Sequence, residues 1–235
     1  MKNIINEKPS KYLVGRLKAS EEFVDVEDII GKRVLDIGCG YGWFEMSAIS
    51  KNVDEIVACE PTEDDLTTIR KNIVDSHVDI KVASAIDLPF TDHSFDTVVV
   101  WEVIEHIPHG TEAKMFEEIA RVLKIGGKLY LSTPYANLFS KFFDPAWWLV
   151  NHRHYSAKSL DIYAHNSGFE VSKVKIAGRW WLILDILNMY FSKWILRRRK
   201  LFRNFFDKKV EDEYSIENGF VNIFVSFIKV SDVKN

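Results

Sequence analysis

A doubly wound α/β fold on a mostly parallel seven-stranded sheet is what this sequence predicts, and three observations carry the prediction. Short apolar runs of strand length alternate with segments of helical periodicity from residue 33 onward. Runs such as Thr97–Val100 are continuously apolar, as strands covered on both faces are. Third, Val34-Leu35-Asp36-Ile37 leads directly into Gly38-Cys39-Gly40-Tyr41-Gly42, a strand closing on a glycine turn ahead of a helix. Glycine lets the backbone turn tightly and approach a ligand closely. The helix N-terminus behind the turn offers free N–H groups and a positive dipole end.

Taken in order, residues 1–32 read as a helical lead-in, with Tyr12, Leu13, Leu17, Phe23, Val24 and Ile29 at loose helical spacing. The domain proper runs from 33 to 235. A second strand, Ile56–Glu60, ends in an acid placed to accept hydrogen bonds from a ribose diol, with Pro61 after it. Thr62-x-x-Asp65 caps the next helix. A segment from Ile80 to Phe90 and a strand from Phe95 to Trp101 follow. Thr111 opens a helix with Met115, Phe116, Ile119, Val122 and Leu123 on one face. Then come a Gly126-Gly127 turn and a fifth strand from Lys128. Ser156 caps a helix that Gly168 stops, Phe169–Ala177 reads as a sixth strand and Val221–Val230 as a seventh. Ligands of such sheets bind beyond the strands' carboxyl ends, where Asp36, Glu60, Asp87 and Trp101 all fall.

Composition narrows the class. The 235 residues are 47% hydrophobic and 28% charged, as in a globular protein. A net charge of −3 gives no general attraction to nucleic acid. Cys39 lies in the glycine turn and Cys59 in a strand, so neither suggests a disulfide framework, and a reducing, cytoplasmic setting is expected. No signal-peptide pattern opens the sequence, and no apolar run is long enough to span a bilayer.

The glycine run also has a specific resemblance. A dinucleotide fingerprint wants a small residue at position 43, where Trp43 stands, which counts against a dehydrogenase. The run is similar to the first motif of class I S-adenosylmethionine-dependent methyltransferases, a Rossmann-like family. The later segments Ile56–Pro61, Ala85-Ile86-Asp87-Leu88-Pro89-Phe90, Ser94–Ile107 and Leu123–Leu131 resemble that family's motifs in the same order. The resemblance implies S-adenosylmethionine as cofactor, held by Asp36, Gly38, Cys39, Gly40, Gly42, Glu60, Pro61, Ile86, Asp87, Trp101, Glu102 and His106. In it, Asp87 holds the adenine amino group and Ile86 packs on the ring. It implies transfer of a methyl group to a small-molecule or lipid-linked acceptor, on oxygen in our reading. The alternatives are a nucleic-acid methyltransferase and a cofactor-binding module without turnover. The first is weakened because Trp101-Glu102-Val103 stands where an N-P-P-Y type segment is expected.

Two departures from the family pattern bear on the acceptor. Residues 135–155 are dense in aromatics and end in His152-Arg153-His154-Tyr155, loosely similar to a segment of quinone and cell-surface-glycan methyltransferases. Tyr12, Tyr135, Trp147, Trp148 and Tyr155 are the expected acceptor contacts. Histidine titrates near neutrality and suits removal of a hydroxyl proton, so His152 and His154 are the catalytic candidates. No metal is expected, since no carboxylate or cysteine joins His152-x-His154 at ligand spacing. The second departure is an insertion at 178–220. Read as one helix, it gathers Asp185, Asn188, Ser192, Arg199 and Arg203 on a narrow face and leaves the rest apolar or aromatic beside Arg197-Arg198-Arg199. That composition suits peripheral contact of 180–206 with a membrane surface, a lid over the cleft or a homodimer contact.

Overall fold

The computed structural model describes residues 9, 12–143, 152–216 and 218–232. Seven strands form one sheet in the order β3-β2-β1-β4-β5-β7-β6. They are β1 (Arg33–Ile37), β2 (Glu55–Glu60), β3 (Val78–Val82), β4 (Phe95–Trp101), β5 (Leu123–Pro134), β6 (Phe169–Ala177) and β7 (Asn222–Lys229). The first five run parallel; β7 pairs antiparallel with both β5 and β6. The chain leaves β3 and re-enters the sheet as β4 on the other side of β1. That reversal creates the crevice at the carboxyl ends of β1 and β4.

Helices α1 (Arg16–Phe23), α2 (Trp43–Ser50), α3 (Glu63–Asn72) and α4 (Glu112–Val122) cover the sheet with α6 (Ala157–Asn166), while the short α5 (Leu138–Phe143) follows β5 and sets Phe139 against Trp180 and Phe220. Their limits follow from local chemistry. Thr62 Oγ1 accepts the Asp65 N–H at the start of α3, and Ser156 with Ser159 forms a reciprocal capping box on α6. One core cluster joins β1, β2, β4, β5, β7, α4 and α6 through residues such as Leu35, Val98, Phe116 and Phe227. A second puts Phe23 of α1 against Tyr130 and Phe224.

Two expectations need correction. Gly126 and Gly127 do not separate a helix from a strand: β5 runs through them, and its pairing with β4 shifts register there, from Phe95↔Leu123 to Thr97↔Lys128. A Cβ at Gly127 would fall 2.8 Å from the Asp96 carbonyl oxygen, so the two strands meet too closely for a side chain. The insertion is two helices, not one. Helix α7 (Trp180–Tyr190) continues as a π-helical turn (Phe191–Ile195), and α8 (Arg203–Tyr214) packs back on it. No Gly or Pro marks the break. Lys200 has to leave the helical path to lie between Asp185 and Asp207, and this takes Arg199 and Arg203 off the face that Asp185, Asn188 and Ser192 share.

Candidate active site

Gly38, Gly40 and Gly42 all have positive φ, at 81°, 58° and 91°. At two of them neighbours exclude a side chain as well. A Cβ would stand 2.4 Å from Val103 Cγ2 at Gly38 and 2.7 Å from Ile73 Cγ1 at Gly42. The loop is tied to β2. The N–H groups of Gly38 and Cys39 donate to the Cys59 carbonyl, and the Gly40 N–H donates to Glu60 Oε1 at 2.8 Å. Glu60 is thereby held at the tip of β2, half-buried, beside exposed Pro61 and exposed Gly40. Cys39 is buried and contributes through its backbone; burial pushes its thiol far up, so it stays protonated.

Behind the loop lie two buried carboxyls, Asp36 (1% exposed) at the end of β1 and Glu45 (0%) on α2. Asp36 Oδ1 and both Glu45 oxygens have no hydrogen-bond partner among the described residues. Burial is the main cause that pushes both upward, Glu45 to about 7; Glu45 and Glu60 raise Asp36 further. An orphaned buried acceptor at a strand end, facing a glycine cradle, fits a ligand that brings donors.

The far rim is the turn Ser84–Asp87, where Asp87 is exposed and Ile86 is half-buried against the core. Helix α4 fixes this rim in a way the sequence did not signal. Glu118 accepts the Leu88 N–H at 2.9 Å, and Arg121 donates to the carbonyls of Leu88 and Phe90 at 2.8 and 2.7 Å. These side chains sit some thirty positions from the loop they hold.

Trp101 and Glu102, expected at the cofactor, have other partners. Trp101 packs on Trp43 and Phe44, and its Nε1 has no hydrogen-bond partner among the described residues. Glu102, in a left-handed backbone conformation (φ 56°), pairs with Arg16 at 2.6 Å and accepts from Ser132 at 2.8 Å and Asn222 at 3.2 Å. Arg16, Glu102 and Asn222 form the polar side of a cavity of about 270 Å³. Leu182, Ile183 and Ile186 of α7 form an apolar side, and His152 and His154 also line it. This network draws on positions from 16 to 222, so no local pattern announces it.

Among the expected acceptor contacts, Tyr12 is 89% exposed. Tyr135 is half-buried against the core and bridges to Tyr155. Tyr155 is itself buried, its hydroxyl bonded to Glu112 at 2.9 Å, which makes it a packing residue and not an acceptor contact. Trp147 and Trp148 lie outside the described residues. Arg153 staples this strap to the loop after β4. It pairs with Glu112 and donates to the carbonyls of Ile104, Glu105 and Ile107.

A carboxylate does stand near His152, contrary to expectation. Glu105 Oε1, buried and without a hydrogen-bond partner among the described residues, is 3.9 Å from His152 Nε2. The exposed His106 ring lies 5.0 Å from that of His152. Ligand atoms of Glu105, His106 and His152 all fall within 4.8 Å of one another. Burial, then the Glu102 charge, pushes Glu105 up; burial, then His152, pushes His106 down.

Residues 35–131 match the family described as methyltransferase domain. A ubiquinone biosynthesis O-methyltransferase of Xanthomonas oryzae pv. oryzae is 37% identical over 109 residues, 45% of this chain and 44% of the relative. The chain thus spans about half the length of the curated relatives it matches. An S-adenosylmethionine-dependent methyltransferase of Mesorhizobium loti superposes with a TM-score of 0.60 at 16% identity, covering 91% of this chain and 95% of that one. The [4+2]-cyclase SpnF superposes at 0.67 and 16% identity over 96% and 90%. The fold is that of class I methyltransferases.

Proposed function

We propose that this chain, whose residues 35–131 belong to the methyltransferase domain family, moves a methyl group from S-adenosylmethionine to an oxygen of an apolar or amphiphilic acceptor seated in the 270 Å³ cavity. One observation carries the reading. The glycine turn, Glu60 at the strand tip and the orphaned Asp36 oxygen converge on one sheet edge, the edge that the crevice occupies. Glu60 would accept the ribose hydroxyls, Asp36 would meet donors of the methionine end, and Asp87 with Ile86 would hold the adenine. S-adenosylmethionine supplies an already activated methyl group with a good leaving group. What falls to the chain is positioning, exclusion of water and the acceptor's proton.

His152 is the proton acceptor in this reading. It lines the cavity while Glu105 stands behind it as a positioning residue. The lining of Leu182, Ile183 and Ile186 supports an apolar acceptor. Similarity to the ubiquinone biosynthesis O-methyltransferase of Xanthomonas supports oxygen as the atom methylated.

Calorimetry tests the cofactor half. S-adenosylmethionine and S-adenosylhomocysteine should bind and NAD should not, and Glu60→Ala should weaken binding on the order of 100-fold, as loss of charge-assisted bonds of about 3 kcal/mol predicts. Absent binding, or preference for NAD, would leave only the fold. With an acceptor in hand, His152→Ala should lower kcat steeply and His154→Ala far less. A second reading rests on the Glu105, His106 and His152 trio, whose chemistry also suits a divalent cation. Activity lost to a chelator and restored by one metal would favour it.

A further inference from the structure

The hairpin between β6 and β7 has its polarity inverted. Inside, Lys200 Nζ lies 2.8 Å from both Asp185 and Asp207. Asn188 donates to the Leu201 carbonyl at 2.7 Å, and Ser192 accepts the Leu201 N–H at 3.2 Å. Outside, the large apolar side chains are exposed: Trp194 at 58%, Ile195 at 67%, Phe202 at 76%, with Leu187, Phe191 and Phe205 beside them. A helix pair folding in water alone places these groups the other way round, and an exposed apolar face of this kind marks an interaction surface.

Charge indicates what covers it. Between Asp185 and Asp207 the sequence holds six cations and no acid, although the whole chain carries −3. Arg197, Arg198 and Arg199 are exposed at the tip, and among the described residues none has a carboxylate at ion-pair distance. A second copy on a two-fold axis would set this cluster against itself. No helix among the described residues is long and apolar enough to cross a membrane. We infer that the hairpin tip docks on an anionic bilayer, its aromatic and aliphatic face in the headgroup boundary and its arginines on the lipid phosphates. Helix α7 then stands between the bilayer and the cavity, since Leu182, Ile183 and Ile186 line the latter. The docking itself does not depend on the methyl-transfer reading.

Co-sedimentation of the full chain with vesicles tests this without cofactor. Phosphatidylcholine vesicles containing phosphatidylglycerol should pellet the protein at low salt, and phosphatidylcholine alone should not. The triple change Arg197→Gln, Arg198→Gln, Arg199→Gln should lower partitioning about 100-fold, from roughly 1 kcal/mol per cation near the surface and about 1.4 kcal/mol per decade. Trp194→Ser with Ile195→Ser should also release the protein, with its melting temperature unchanged. Equal partitioning into both vesicle types, no partitioning, or a triple variant that pellets like wild type would overturn the inference. So would a concentration-dependent dimer that the Trp194→Ser, Ile195→Ser form loses while vesicles bind neither form.

Discussion

Glu45 couples the glycine loop to pH. Its carboxyl is fully buried beside Asp36, neither of its oxygens has a hydrogen-bond partner among the described residues, and burial lifts its pKa from 4.5 to about 7. The folded protein therefore keeps this proton over a range where the unfolded chain releases it. Stability from this group is complete below about pH 4.5 and is lost as pH rises through about 7. Glu45→Gln presents a permanently neutral group of the same shape, whose N–H can donate to Asp36 Oδ1. Between pH 5 and 8.5 the stability of wild type relative to Glu45→Gln should fall by on the order of 2.5 kcal/mol, at about 1.4 kcal/mol per pKa unit. For a chain of this size that is roughly 5–10 °C in relative melting temperature. Taking the difference between the two proteins cancels titrating groups remote from position 45, His106 and Glu105 included; Asp36, which Glu45 raises, titrates with it as one pair, and the difference reads that pair. Thermal melts of both proteins at pH 5, 6, 7, 8 and 8.5 measure it. A difference that stays flat across this range, or one that moves in wild type's favour as pH rises, would refute a buried neutral carboxyl at position 45.

Two further outcomes follow from the staples around the cavity. Arg153→Ala strips Glu112 of its half-buried partner and frees three carbonyls, so chemical denaturation should show a loss of about 3 kcal/mol; a loss under about 1 kcal/mol would remove Arg153 as the strap's anchor. Glu213 accepts the N–H groups of Arg179, Trp181 and Leu182 at the start of α7. Glu213→Gln should cost roughly 1–2 kcal/mol and speed amide exchange in α7 before it affects the sheet, and uniform exchange across both would contradict that order.

What could be read from the sequence was what is local. The glycine turn, Glu60 at the tip of β2 and the limits of β6 each depend on a few consecutive residues, and each stands where the pattern put it. Glu102 shows the opposite case. Its motif position suggested a ligand contact, but Arg16, Ser132 and Asn222 converge on it from three distant elements. Glu105 and His152 likewise meet where Arg153 and Tyr155 tie the strap to the loop after β4. The break in the insertion was hidden because it goes with a half-buried lysine held between two aspartates, and not with a helix-breaking residue.

Helix α7 has only eleven residues to satisfy two environments. Leu182, Ile183 and Ile186 belong to the cavity; Leu184 and Leu187 are exposed. An α-helix turns about 100° per residue. One residue inserted or deleted near Trp181 would therefore rotate the assignments out of step, sending interior groups outward and outer groups into the hollow. Individual side chains on either face can drift in size, but the length of this helix cannot. Its phase is fixed at the start by the three N–H groups that Glu213 grips, so a single carboxylate sets which residues face inward and which face out.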